Sequence, residues 1–74
     1  MKVDSLEPGF CRVYYRNEAG SRFCLQEEFP GAFIFYSCTA YGEPSHEVDQ
    51  PSDLPAPTGD SPLEIAARHF LMCY

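Results

Sequence analysis

Apolar and polar residues alternate along residues 10–16, with Val13 and Tyr15 on one side of an extended chain and Arg12 and Arg16 on the other. A two-residue period of this kind is typical of a strand that buries one face. The sequence therefore predicts a strand that turns Val13 and Tyr15 towards a core.

The next residues predict a hairpin. Asn17 and Gly20 occupy the first and fourth positions of a type I turn that closes with a left-handed glycine. Such a turn pairs apolar with apolar residues across the two strands: Tyr15 with Phe23 and Val13 with Leu25. We expect this hairpin to cover about residues 10–27.

A third strand is predicted at about 32–41, after the turn that Pro30 and Gly31 indicate. Its residues are apolar and aromatic on both sides, which favours either a central strand covered by a helix or a strand buried by self-association. Residues 42–61 are rich in proline and acidic residues and predict a loop, in which residues 46–49 are the one segment able to form a short extra strand.

The last segment predicts a helix over about 62–73. Ser61 is a typical N-cap, Pro62 suits the first helical position, and Glu64 completes a capping box. Apolar residues share one face of this helix: Leu63, Ala66, Ala67, Phe70 and Leu71. The predicted fold is a single α+β domain, in which an antiparallel sheet of three strands, or four with 46–49, carries one C-terminal helix on one face.

Charge is distributed unevenly along the 74 residues, whose formal net charge is −6. Residues 1–22 hold four basic and three acidic side chains, a balance of +1, whereas residues 23–67 hold eight carboxylates and no lysine or arginine. A solvated acidic surface and a negative face aimed at a basic partner both fit this pattern. Direct binding of nucleic acid is not expected, because an acidic chain is repelled by phosphates.

No enzymatic motif is found. The four cysteines at positions 11, 24, 38 and 73 include no C-x-x-C pair, so we expect reduced, mostly buried thiols in preference to a metal site or disulfides. Without a nucleophile motif or a phosphate loop, we expect neither catalysis nor a cofactor. A small cysteine-dependent enzyme remains a minor alternative, which a reactive thiolate would reveal. With no apolar run of about 20 residues and no signal peptide, we expect no membrane contact and a cytoplasmic location.

The uncompensated acids of residues 23–67, with the sheet-and-helix outline of 10–74, resemble phage-encoded anti-CRISPR proteins; other phage-borne inhibitors fit equally. The resemblance implies an inhibitor whose carboxylates take the place of nucleic-acid phosphates on a CRISPR surveillance complex. Its candidate partner-binding residues are Glu27, Glu28, Glu43, Glu47, Asp49, Asp53 and Asp60. Tyr14, Tyr36 and Tyr41 are candidates for either that surface or the core. The alternative is a structural or assembly protein that forms a homodimer through the third strand or the helix.

Overall fold

The computed structural model describes residues 1–72, which form a five-stranded antiparallel sheet and a C-terminal helix. The sheet is a meander in which each strand pairs with its neighbours in sequence. The elements are β1 (Lys2–Glu7), a 3-10 turn (Pro8–Phe10), β2 (Arg12–Arg16), β3 (Arg22–Phe29), β4 (Ala32–Cys38), β5 (Pro44–Glu47) and α1 (Pro62–Met72). The α+β class is confirmed, but the expected three or four strands understate a sheet of five.

The hairpin of β2 and β3 has the predicted register, with Val13 opposite Leu25. Its turn also has the predicted chemistry: Gly20 takes the left-handed conformation with φ of 87°. The Asn17 N–H donates to the Ser21 carbonyl at 3.0 Å, and the Asn17 side chain accepts from the Ser21 N–H at 2.8 Å. Turn preference and side-chain pattern thus specify the same pairing.

Strand β1 was not predicted, because its apolar residues do not alternate. Val3 and Leu6 are three residues apart, whereas residues on one face of a regular strand are two or four apart. An irregularity at Asp4 shifts the register, so that Val3 lies opposite Tyr15 and Leu6 opposite Val13. One extra residue therefore turns both apolar side chains to the same face.

Strand β4 is shorter than the predicted 32–41, and β5 begins before the predicted 46–49. After Cys38 the chain turns sharply, with the Gly42 N–H donating to the Thr39 carbonyl at 2.9 Å and Gly42 at φ of 83°. This turn puts Tyr41 at its tip, 94% exposed, instead of in a strand. Because β3 and β5 pair with the two edges of β4, no edge of β4 is free for a second copy.

Helix α1 begins as predicted. The Glu64 N–H donates to the Ser61 hydroxyl at 3.3 Å, and that hydroxyl donates to the Glu64 carboxylate at 2.6 Å. The carboxylate also accepts from the Gly59 N–H at 2.9 Å. These bonds, first of all the one from Ser61, lower the pKa of Glu64. The predicted end at residue 73 lies outside the described residues.

The two faces of the sheet are built differently. The core face carries the buried residues Val13, Tyr15, Leu25, Phe33 and Phe35, against which α1 packs Leu63, Ala67 and Leu71. The proline-rich loop closes this side by burying Leu54, and the Tyr15 hydroxyl donates to the Pro55 carbonyl at 2.7 Å. The opposite side, which we call the open face, has no helix over it among residues 1–72. No helix in this part of the chain has the length and apolar character needed to span a membrane.

Candidate functional site

Tyr14 lies at the centre of the open face and is 3% exposed. The Arg22 guanidinium stacks over its ring at 3.9 Å, a cation–π contact. Its hydroxyl donates to the Glu7 carboxylate at 2.7 Å and accepts from Arg12 at 3.4 Å. Burial, together with the hydrogen bond to Glu7, raises the pKa of Tyr14. The tyrosine is thus held as a neutral donor.

Three arginines of β2 and β3 form ion pairs on this face. Arg16 and Arg22 both reach Asp4, at 3.3 and 3.5 Å. Arg12 reaches Glu7 at 3.5 Å and, in the turn before β5, Glu43 at 3.7 Å. Among the ion pairs of residues 1–72, the pair of Arg12 with Glu43 joins the basic segment of the sequence to the acidic one, and the others form within residues 1–22.

The two carboxylates that lie against Tyr36 on the open face are not compensated in this way. Glu28 accepts a hydrogen bond from the Tyr36 hydroxyl at 2.6 Å, and Glu47 is the register partner of Tyr36. The hydrogen bond to Glu28, helped by desolvation and by Glu47, raises the pKa of Tyr36 to about 12. Asp49 follows two residues after Glu47, and none of the ion pairs within residues 1–72 involves Glu28, Glu47 or Asp49. We call these three carboxylates the acidic edge.

The other four predicted binding residues are placed elsewhere or are already engaged. Glu43 pairs with Arg12. Glu27 accepts from the Gly31 N–H at 2.8 Å and so closes the turn between β3 and β4. Asp53 and Asp60 are exposed in the long loop that leads to α1. The structure brings together part of the predicted set and spreads the rest over the molecule.

Two of the described thiols, Cys24 and Cys38, are poorly suited to nucleophilic chemistry. Cys24 is fully buried on the open face, and burial raises the pKa of its thiol to about 12. Burial also raises the pKa of Cys38. Cys11, Cys24 and Cys38 are free thiols, and residues 1–72 contain no group of three or more side chains placed to hold a metal ion. Cys73 lies outside the described residues. Since the thiolate is the reactive form, these values disfavour a cysteine nucleophile at Cys24 or Cys38.

Sequence reasoning missed the arginine and tyrosine network around Tyr14. A signal was present, because Arg12, Tyr14 and Arg16 alternate on β2 and Arg22 faces Arg16 in the predicted register. The partners on β1, Asp4 and Glu7, could not be placed, since that strand was not predicted.

Comparison with known proteins gives no relative. No protein-family model, curated protein or solved structure matches this chain.

Proposed function

We propose that the protein is a small inhibitor that binds a basic, nucleic-acid-binding protein complex through its acidic edge. The observation that carries the proposal is the pair of carboxylates, Glu28 and Glu47, that flank Tyr36 without an ion-pair partner among residues 1–72. The resemblance to anti-CRISPR proteins makes a CRISPR surveillance complex the first partner to test.

Preorganisation favours this use of the acidic edge. The bond from Tyr36 fixes one oxygen of Glu28, so less side-chain freedom is lost when a partner binds. Tyr36 itself is half-buried and offers an aromatic ring between the two carboxylates. Tyrosine is enriched where interfaces draw most of their binding energy.

Electrostatics indicate the kind of partner. A channel lined by lysine and arginine attracts phosphates, and a fixed group of carboxylates attracts the same channel. Association driven by such complementarity is fast and weakens as salt is raised. The protein would then compete with nucleic acid for one surface, and the net charge of −6 would steer the encounter.

The test is a competition experiment with purified CRISPR surveillance complexes of several types and labelled target DNA. The protein should displace DNA at low salt and lose this ability at high salt. The variant E28Q/E47Q/D49N should bind at least about tenfold more weakly, because it removes three partner charges while keeping side-chain shape.

A matched control separates the acidic edge from net charge. The variant E18Q/D53N/D60N removes the same three charges from exposed positions outside the edge, so both variants have a formal charge of −3, which is −6 plus 3. Equal loss of binding in both variants would reject the acidic edge as the specific site, because either net charge or a binding face that extends to Asp53 and Asp60 would then explain the effect. If the protein leaves DNA binding unchanged in every complex, this partner class is rejected. If the protein then sediments as a dimer, self-association through α1 is favoured, because Ile65 and Met72 are exposed on that helix.

A further inference from the structure

A second feature of the open face is a groove of about 540 Å³ at the end of the sheet, between the β2–β3 and β4–β5 turns. Two arginines line it, Arg16 and Arg22, and no carboxylate does. Residues that carry hydroxyl groups also line it, namely Ser21, Ser37, Thr39 and Tyr41, together with Phe23 and small residues of the two turns. On a chain of net charge −6, this lining is distinctly basic.

The walls of the groove are two turns of matching geometry. In the first turn, the Asn17 N–H donates to the Ser21 carbonyl, and the Asn17 carbonyl accepts from the Gly20 N–H. In the second turn, Thr39 makes the same two bonds, with the Glu43 carbonyl and the Gly42 N–H. A side-chain oxygen closes each turn from inside. Asn17 Oδ1 accepts one backbone N–H, and Thr39 Oγ1 accepts two. Such turns hold their shape without a ligand.

Arg22 is positioned on three sides. Tyr14 lies under its guanidinium, and its Nη2 donates to the Ser5 hydroxyl at 2.9 Å. Its Nη1 occupies space next to Gly42 that a Cβ would fill in any other residue. Glycine, with φ of 83° at this position, leaves room for the guanidinium. Its buried Nε faces Asp4 Oδ2 at 3.5 Å and makes no hydrogen bond within the described residues.

Asp4 only partly neutralises the two arginines. It approaches Arg16 and Arg22 at 3.3 and 3.5 Å but does not line the groove. Glu18 and Glu43 belong to the two turns that form the walls, and neither of them lines the groove. The lining of the groove therefore combines two arginine side chains with residues that carry hydroxyl groups, and it includes no carboxylate.

We propose that this groove is a binding site for a phosphate-class oxyanion. Guanidinium groups bind phosphate through paired N–H donors, and hydroxyl groups can complete the contacts of a tetrahedral anion. The anion is either free phosphate or a phosphate monoester. Only the monoester carries an organic group, which would lie against Tyr41. This site does not depend on the proposed inhibitor function, since it is defined without a partner protein.

The test is an NMR titration of the protein alone with inorganic phosphate, with NaCl adjusted to hold ionic strength constant. Saturable shifts are expected at Arg22 Nε and at the amides of Gly42 and Tyr41, with a dissociation constant on the order of 1 mM, as a few charge-assisted contacts give. Acetate should bind more weakly, because it offers fewer oxygens. Tighter binding of phenyl phosphate would identify a monoester as the ligand, and equal binding would identify free phosphate.

Matched variants locate the site. R22Q should weaken phosphate binding about tenfold, and R16Q tests the groove independently if R22Q disturbs the fold, since Arg16 is half exposed. K2Q removes the same charge from an exposed position outside the groove, and it should bind phosphate as the parent does. Absence of saturable shifts, an equal affinity for acetate, or an equal loss in K2Q would each overturn the proposal.

Discussion

The core face and the open face are two sides of one sheet, yet different kinds of interaction cover them. On the core face, apolar side chains such as Leu25 and Val13 are completely buried by the helix and the loop. On the open face, Cys24 is as deeply buried, but the neighbouring side chains are tyrosines, arginines and carboxylates. Buried apolar area stabilises the first side, and hydrogen bonds with partly solvated charges cover the second.

The difference bears on where function can be located. Exposed ion pairs contribute about 0–1 kcal/mol each, so their residues can change with little cost to folding. Apolar core residues contribute several times more and are constrained by packing. A binding surface is therefore more easily accommodated on the open face, which carries both the acidic edge and the basic groove.

The largest expected effect is on the core face. Leu25→Ala removes a side chain with no solvent exposure and should lower the free energy of unfolding by about 2–5 kcal/mol. A chain of this length has a total of about 4–11 kcal/mol, so the variant should be close to unfolding. Urea denaturation followed by circular dichroism measures the loss.

Ile34→Ala is the matched control on the open face. Ile34 lies opposite Gln26 on that face and is partly exposed. Its truncation leaves less empty space and removes less buried area, so the loss should be clearly smaller than for Leu25→Ala. Equal losses would show that the open face is a second apolar core and would remove the contrast.

A smaller effect should separate two adjacent tyrosines. Tyr15→Phe leaves the Pro55 carbonyl without its donor beside the core and should cost about 0.5–1.5 kcal/mol. Tyr14→Phe leaves Glu7, which is 47% exposed and still faces Arg12, so water can replace the lost hydroxyl. We expect its cost to be the lower of the two in the same denaturation assay. The reverse order would mean that the network around Tyr14 is a major source of stability.

Much of the fold follows from local sequence signals. The hairpin of β2 and β3 is specified twice, by Asn17 and Gly20 in the turn and by the alternation of its strands. Ser61 and Glu64 likewise specify where the helix starts. Strand β1 could not be predicted, because a register shift at Asp4 breaks the two-residue period on which strand prediction depends.

The candidate site was less predictable, because it depends on contacts between distant segments. Counting charges along the chain left Glu43 uncompensated, whereas the fold brings it within 3.7 Å of Arg12. The same count could not show that Glu28 and Glu47 lie on either side of Tyr36, since that needs the order of three strands. Composition indicated an acidic surface but not which carboxylates share it.

The smallest expected effect on stability comes from the acidic edge itself. E28Q/E47Q/D49N replaces three exposed carboxylates, and glutamine at position 28 can still accept the hydrogen bond from Tyr36. Relief of repulsion between like charges offsets the loss of the charged acceptor, so the change should stay within about 0.5 kcal/mol. For a domain of this size that corresponds to less than about 4 °C in the melting temperature. An unchanged melting temperature with weakened DNA competition would show that these carboxylates act in binding and not in folding. A large drop in melting temperature would mean that they stabilise the sheet and that the loss of competition reports unfolding.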